Sequence, residues 1–218
     1  MKLYNLPKKI EALVFDMDLT LYTNPLYGKV QIDKLIAVFA EQQHKTFDKM
    51  NKEIETARNS WAASHKGKKP SLSAIFLSCG VTMEENVRWR EESYEPEKFL
   101  SPDKKLRETL KALSSFFKLG VVTNNPVSIA KRTLGALGVE DCFTALVGLD
   151  TCMTPKPHKL PFTRIAELLN TDPKNCISIG DRYDIDIELP LEMGMGGILV
   201  DGVEDVYTLP GVLQGGKL

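Results

Sequence analysis

The sequence predicts an α/β protein: an open, mainly parallel sheet flanked by helices, with an all-helical segment inserted behind the first strand. Short apolar runs recur without strict alternation, as in strands buried on both faces of a parallel sheet. Helical patterns separate them in regular order, which suits right-handed crossovers. Between the first run and the helix leading to the second lie roughly seventy residues with helical but no strand character. A crossover of that length reads as an inserted unit.

The first strand is "ALVF" (12–15). The helical stretches "VQIDKLIAVFAEQ", "FDKMNKEIETARNSWAAS", "SLSAIFLSCG" and "MEENVRWREESY" follow, and "HKGKKP" (65–70) reads as a solvated loop. Trp61, Phe76 and Trp89 are expected to fill the insertion's own small core. Prolines near both exits, around Thr23–Pro25 and Glu95–Pro102, suit two hinge strands. "DKKLRETLKAL" places Leu106, Leu110 and Leu113 on one helical face before the second strand, "LGVV" (119–122). "SIAKRTLGALG" is a helix stopped at Gly138, and "TALVGL" (144–149) is the third strand. "PFTRIAELLN" ends at Asn170, ahead of "CISIG" (176–180) and "GGILV" (196–200). The predicted division is a Rossmann-like core from 1–22 plus 97–218 and a helical cap from 23–96.

Composition removes several function classes. The 218 residues are 43% hydrophobic, and 28 basic against 29 acidic residues leave a net charge of −1, so no polynucleotide or membrane surface is indicated. The N-terminus lacks the apolar stretch of a signal peptide, and no run is long enough to span a bilayer. Cys79, Cys142, Cys152 and Cys176 are scattered, which reads as buried or partly buried free thiols in a cytoplasmic protein. His44, His65 and His158 have no metal-site spacing.

Ligands of open α/β sheets bind at the carboxyl ends of strands, so those ends carry the chemistry. The first strand runs into Asp16-x-Asp18-x-Thr20, two carboxylates that can project the same way. Such neighbours repel by roughly 4 kcal/mol at an effective dielectric near 20, and so call for a cation or a shared proton. The second strand ends with Thr123 and Asn124, and Lys156 lies between prolines after the third. The fourth ends "IGDRYDID", which supplies Asp181, Asp184 and Asp186. Singly, each has an ordinary structural reading: a turn, a helix cap before Pro126, a surface lysine, a solvated acidic loop. Jointly they bring an acid pair, a hydroxyl, an ammonium and an acid cluster to one sheet edge.

These segments resemble the four motifs of the haloacid dehalogenase superfamily, in order, in strand context and over essentially the whole chain. "DLTLY", "EKFLSPDKKLRETL", "LGVEDCF" and "PKPHKLPF" look most like its pyrimidine 5′-nucleotidase-like group. The resemblance implies a phosphatase with Asp16 as nucleophile and Asp18 as general acid and base. Mg²⁺ would be held by Asp16, Asp18 (through its main-chain carbonyl) and Asp181. Thr123, Asn124 and Lys156 would bind phosphate, with Asp186 as the supporting second acid that the motif's spacing favours and Asp184 in reserve. The retained Asp18 favours phosphate esters over dehalogenation, and Leu19 departs from the Gly or Asn many relatives carry there. The implied substrate is a small phosphorylated metabolite, a nucleotide or phosphosugar, and the implied assembly a monomer or weak homodimer. A phosphosugar mutase of the same superfamily would share every motif. A non-catalytic phosphate-sensing protein is the alternative from another class, although receiver modules lack a helical insertion.

Overall fold

The computed structural model describes residues 1–65, 67 and 69–214. Lys66 and Lys68 of the "HKGKKP" segment therefore lie outside the described residues. Six strands form one sheet: β1 (Lys2–Tyr4), β2 (Ala12–Phe15), β3 (Lys118–Val122), β4 (Ala145–Val147), β5 (Cys176–Gly180) and β6 (Gly196–Leu199). Their order is β1-β6-β5-β2-β3-β4, with β1 antiparallel to β6 and the other pairings parallel. β2 is central, and Phe15 is level with Val121 on one side and Ile179 on the other. The chain leaves β2 for β3 and β4, then returns past it to β5 and β6. This reversal of strand order marks where α/β sheets collect ligands.

Both faces of β2 are buried, as its unbroken apolar run requires. Leu13 and Phe15 point into one cluster with Leu106, Leu110 and Leu113, while Ala12 and Val14 point into another with Phe162 and Ile165. The core helices are α5 (Lys104–Ser114), α6 (Val127–Leu137), α7 (Leu149–Cys152), α8 (Lys159–Leu168), α9 (Glu188–Glu192), α10 (Val203–Val206) and α11 (Leu209–Gln214); to keep chain order, α1–α4 denote those of the insertion. Gly138 ends α6 in the left-handed conformation at φ 71°, which a residue without Cβ adopts at little cost.

The insertion holds α1 (Pro25–Gln42), α2 (Phe47–Ser64), α3 (Leu72–Ser78) and α4 (Met83–Ser93). Asn24, Thr46, Ser71 and Thr82 each accept a main-chain N–H at the start of these helices, satisfying donors the helix cannot. Leu35, Phe39, Ile54, Phe76 and Trp89 form a separate apolar cluster that Ile129 of α6 joins.

Three sequence expectations need correction, and one strand had no counterpart among them. Trp61 stands outside the insertion core and is 49% exposed: it continues the stripe of Met50 and Ile54, but in the last turn of α2, where its ring stacks on His65. Cys79 is exposed at the end of α3, although all four thiols are free as expected. β1 was not anticipated: three residues on a sheet edge, mostly exposed, leave no apolar signature. "TALVGL" is only partly strand, since Leu149 already opens α7. Among the described residues, no helix is long and apolar enough to cross a membrane.

Candidate active site

β2 delivers Asp16 to the sheet edge, where its main-chain N–H donates to the Ile179 carbonyl at 2.7 Å. A turn follows, with Leu21 N–H donating to the Met17 carbonyl at 2.9 Å and both side chains buried. Leu19 sits at φ 58°, in the left-handed region, at a cost of about 1–2 kcal/mol for a residue with a Cβ. This strain explains why Gly or Asn suits the position, and the buried anchors Met17 and Leu21 hold Leu19 in it.

The two acids of the turn face different partners. Asp16 Oδ1 accepts from Lys156 Nζ at 2.6 Å, and its Oδ2 lies 3.5 Å from the Thr20 hydroxyl. Asp18 accepts from the Tyr22 hydroxyl, from Asn125 Nδ2 at 2.8 Å, and more distantly from Gln31 Nε2 at 3.5 Å. Gln31 belongs to α1, so the insertion reaches the second acid directly.

Lys156 is 2% exposed, and its ammonium bridges Asp16 Oδ1 and Asp186 Oδ1, the latter at 2.7 Å. Asn124 positions its backbone: Oδ1 accepts the Lys156 N–H at 2.6 Å and Nδ2 donates to the Lys156 carbonyl at 3.2 Å. Asp186 is set by a single π-turn over Tyr183–Ile187. Its carbonyl accepts from Ser178 Oγ at 2.6 Å, and its Oδ2 from the Arg182 N–H at 3.2 Å. Gly180 permits this approach, since a Cβ there would stand 2.6 Å from Asp186 Cγ.

Asp181 completes the group: one carboxylate oxygen each from Asp16, Asp181 and Asp186 lie within 4.8 Å of one another. Burial pushes the Asp16 carboxyl above its usual range, with Asp18 adding to the effect and Lys156 opposing it. Burial, with the charges of Asp16 and Asp186, lifts Asp181 to about 7. Asp186 rises to about 6, again through burial first, against the pull of Lys156. Burial alone would lower the Lys156 ammonium, but the two carboxylates outweigh it and leave it raised. Three carboxylates against one ammonium leave a deficit of positive charge in a confined space. Their hard oxygen donors fit a metal ion of the Mg²⁺ or Ca²⁺ type.

The structure thus gathers Asp16, Lys156, Asp181 and Asp186, and places Asp18 beside Asn125. Thr123 is buried at the end of β3, its hydroxyl accepting the Asn125 N–H at 3.1 Å. Asp184 stands apart, paired with Arg182 at 2.8 Å. It lines a cavity of about 280 Å³ shared with Trp61, His65, Lys69 and Ser71 and bordered by Lys156. Tyr22, Gln31, Arg90 and Asn125 are site residues that sequence reasoning missed. Only Asn125 left a signal, as the second of two asparagines after the β3 strand end.

The model of the haloacid dehalogenase-like hydrolases matches residues 10–194. The chain belongs to this family. A phosphoglycolate phosphatase of Aquifex aeolicus is 35% identical over 94 residues, covering 43% of this chain and 44% of that protein. Another, from Psychrobacter arcticus, is 37% identical over 65 residues, 30% of this chain and 28% of its own. The chain thus spans less than half the length of these curated relatives. Among solved structures, a haloacid dehalogenase phosphatase from Thermococcus onnurineus superposes with a TM-score of 0.64 at 18% identity, covering 96% of this chain and all of that one. A β-phosphoglucomutase from Clostridium difficile gives 0.54 at 22% identity, over 93% of this chain and 99% of its own. At these identities the superpositions establish the shared fold.

Proposed function

We propose that the protein hydrolyses a small phosphomonoester, with Asp16 as nucleophile. The observation that carries this reading is the Lys156 ammonium held between Asp16 and Asp186 with Asp181 alongside. Residues far apart in sequence meet there around one carboxylate, one ammonium among three acids, an arrangement that leaves room for a bound cation. In the first step an Asp16 oxygen bonds to phosphorus while the ester P–O bond breaks, and the leaving oxygen takes a proton from Asp18. In the second, water attacks the aspartyl-phosphate, its proton passes to Asp18, and the acyl-phosphate P–O bond breaks to release phosphate. Lys156 and the Thr123 hydroxyl bind the phosphoryl oxygens, while Asn124 serves by fixing the lysine backbone.

Mg²⁺ would be held by Asp16, Asp181 and the main-chain carbonyl of Asp18, with Asp186 in support. When bound, it supplies the positive charge that lets an anionic nucleophile approach an anionic ester.

The segment 23–96 acts as a cap over a core of 1–22 and 97–218, excluding bulk water as it closes. The cavity beside Lys156 supports a leaving group of modest size. A nucleotide or phosphosugar fits this reading, and the names of the curated relatives favour small phosphorylated metabolites generally.

The test is Asp16→Asn assayed on p-nitrophenyl phosphate with and without Mg²⁺. Turnover is expected to vanish while the folded state and its circular dichroism spectrum persist. Turnover at the wild-type rate would refute the assignment.

A further inference from the structure

A buried arginine in the insertion touches the site without an ionic partner among the described residues. Arg90 of α4 is 7% exposed. It donates to Asn86 Oδ1 at 3.2 Å, to the Tyr94 hydroxyl and Asn125 Oδ1 at 3.0 Å each, and to Ser73 Oγ at 3.0 Å. All four acceptors are neutral. A buried guanidinium without a carboxylate is costly, and neutral packing would serve stability as well.

The chemistry of the amide between them suggests what Arg90 does. A guanidinium offers donors only, so Asn125 must turn its oxygen toward Arg90. Its NH₂ group is then obliged to face the other way, where Nδ2 meets Asp18 Oδ2 at 2.8 Å. Without Arg90 the amide could flip or rotate, and Asp18 would lose its directed donor. The guanidinium also polarises the amide, strengthening the bond to the acid.

We propose that Arg90 is a positioning residue: it acts through Asn125 to aim Asp18 at the leaving oxygen, so that the insertion sets the proton-transfer group of the core. The inference rests on the phosphatase reading and on Asp18 as the group that protonates the leaving oxygen. Arg90 and Asn125 lie on opposite sides of the junction between the insertion and the core. The chain Arg90–Asn125–Asp18 is therefore complete only when these two meet, which couples docking of α4 to readiness of the acid.

The test compares kcat/KM on two esters, because that ratio reports steps through loss of the leaving group. An aryl ester, p-nitrophenyl phosphate, departs with little need of a proton; an alkyl ester, β-glycerophosphate, needs one. Arg90→Met is expected to lower kcat/KM on the alkyl ester by about tenfold to a hundredfold, a part of the usual contribution of a general acid. It should leave the aryl ester within about threefold. Arg90→Lys keeps a cation but loses the fork, and is expected to shift the ratio in the same direction should Arg90→Met not fold. Asn125→Ala is expected to reproduce the shift, and adding Arg90→Met to it should change the ratio no further.

Ser73→Ala removes a different partner of Arg90, so it should cost stability and leave the ratio unchanged. An equal fall on both esters, or no fall on either, in the folded Arg90 variants would overturn the inference and leave the Asp16 assignment standing. Wild-type protein inert on both esters would instead bring down the phosphatase reading, and this inference with it.

Discussion

Asp181→Asn isolates the charge deficit of the acid cluster. The Asp181 carboxyl is lifted from 3.8 to about 7 by burial and by its two carboxylate neighbours. A raised folded-state value means that the native protein holds this proton more tightly than the unfolded chain. Stability from this group therefore falls as pH rises from about 4 to 7 and is flat above. The full shift corresponds to about 4 kcal/mol at 1.36 kcal/mol per unit. Asp181 is only partly buried, so screening reduces the expected gain to on the order of 2 kcal/mol. Without metal, the variant should be more stable than wild type by that amount at pH 8 and nearly equal to it at pH 4. Urea unfolding with a chelator present reads the difference at each pH. Saturating Mg²⁺ should reverse the order at pH 8, adding about 2.7 kcal/mol to wild type at a hundred times Kd and little to the variant. Equal stability of the two proteins at both pH values, or a variant less stable at pH 8 without metal, would refute the crowding of these carboxylates.

Three further outcomes follow from the geometry. Lys156→Met leaves Asp16 and Asp186 facing each other without their shared cation, so urea unfolding at pH 8 should register a loss of about 3–5 kcal/mol. That loss should shrink at pH 5, where protonation relieves the repulsion. Gly180→Ala forces a methyl against Asp186 and should lower stability by about 1–3 kcal/mol, together with kcat through the displaced acid. Trp61→Ala removes a half-exposed ring and should change stability by less than about 0.5 kcal/mol, yet alter KM for substrates that fill the cavity beside Lys156.

Most of the sheet was legible because burial on both faces forces unbroken apolar runs, and Ala12–Phe15 and Cys176–Gly180 carry them. β1 was invisible for the converse reason. The acids and Lys156 could be read from strand ends, since topology alone carries those positions to one edge. Whether Asp184 or Asp186 joined them could not, because the choice depends on a π-turn and on the missing Cβ of Gly180. Trp61 illustrates another limit: an aromatic residue on an amphipathic helix looks like core until the helix ends are fixed in space. Arg90 and Gln31 left no trace, because their relation to Asp18 is made by packing of the insertion against the core, which no local pattern encodes.

The two chain crossings between insertion and core are tied to each other. Asn24 accepts the Tyr27 N–H through Oδ1 at 3.0 Å, and through Nδ2 donates to the Phe99 carbonyl at 2.9 Å. Tyr27 lies flat on Phe99, with ring centroids 4.9 Å apart and planes 16° from parallel. Two loose tethers would allow the helical part to slide, twist and lift independently. Pinned side by side, they would act as one axle for any swing of α1–α4, with its pivot near Asn24 and Phe99. An arc of that kind would move Gln31 and Arg90 together relative to Asp18, about a pivot that the Asn24 amide and the Tyr27–Phe99 ring pair would set jointly.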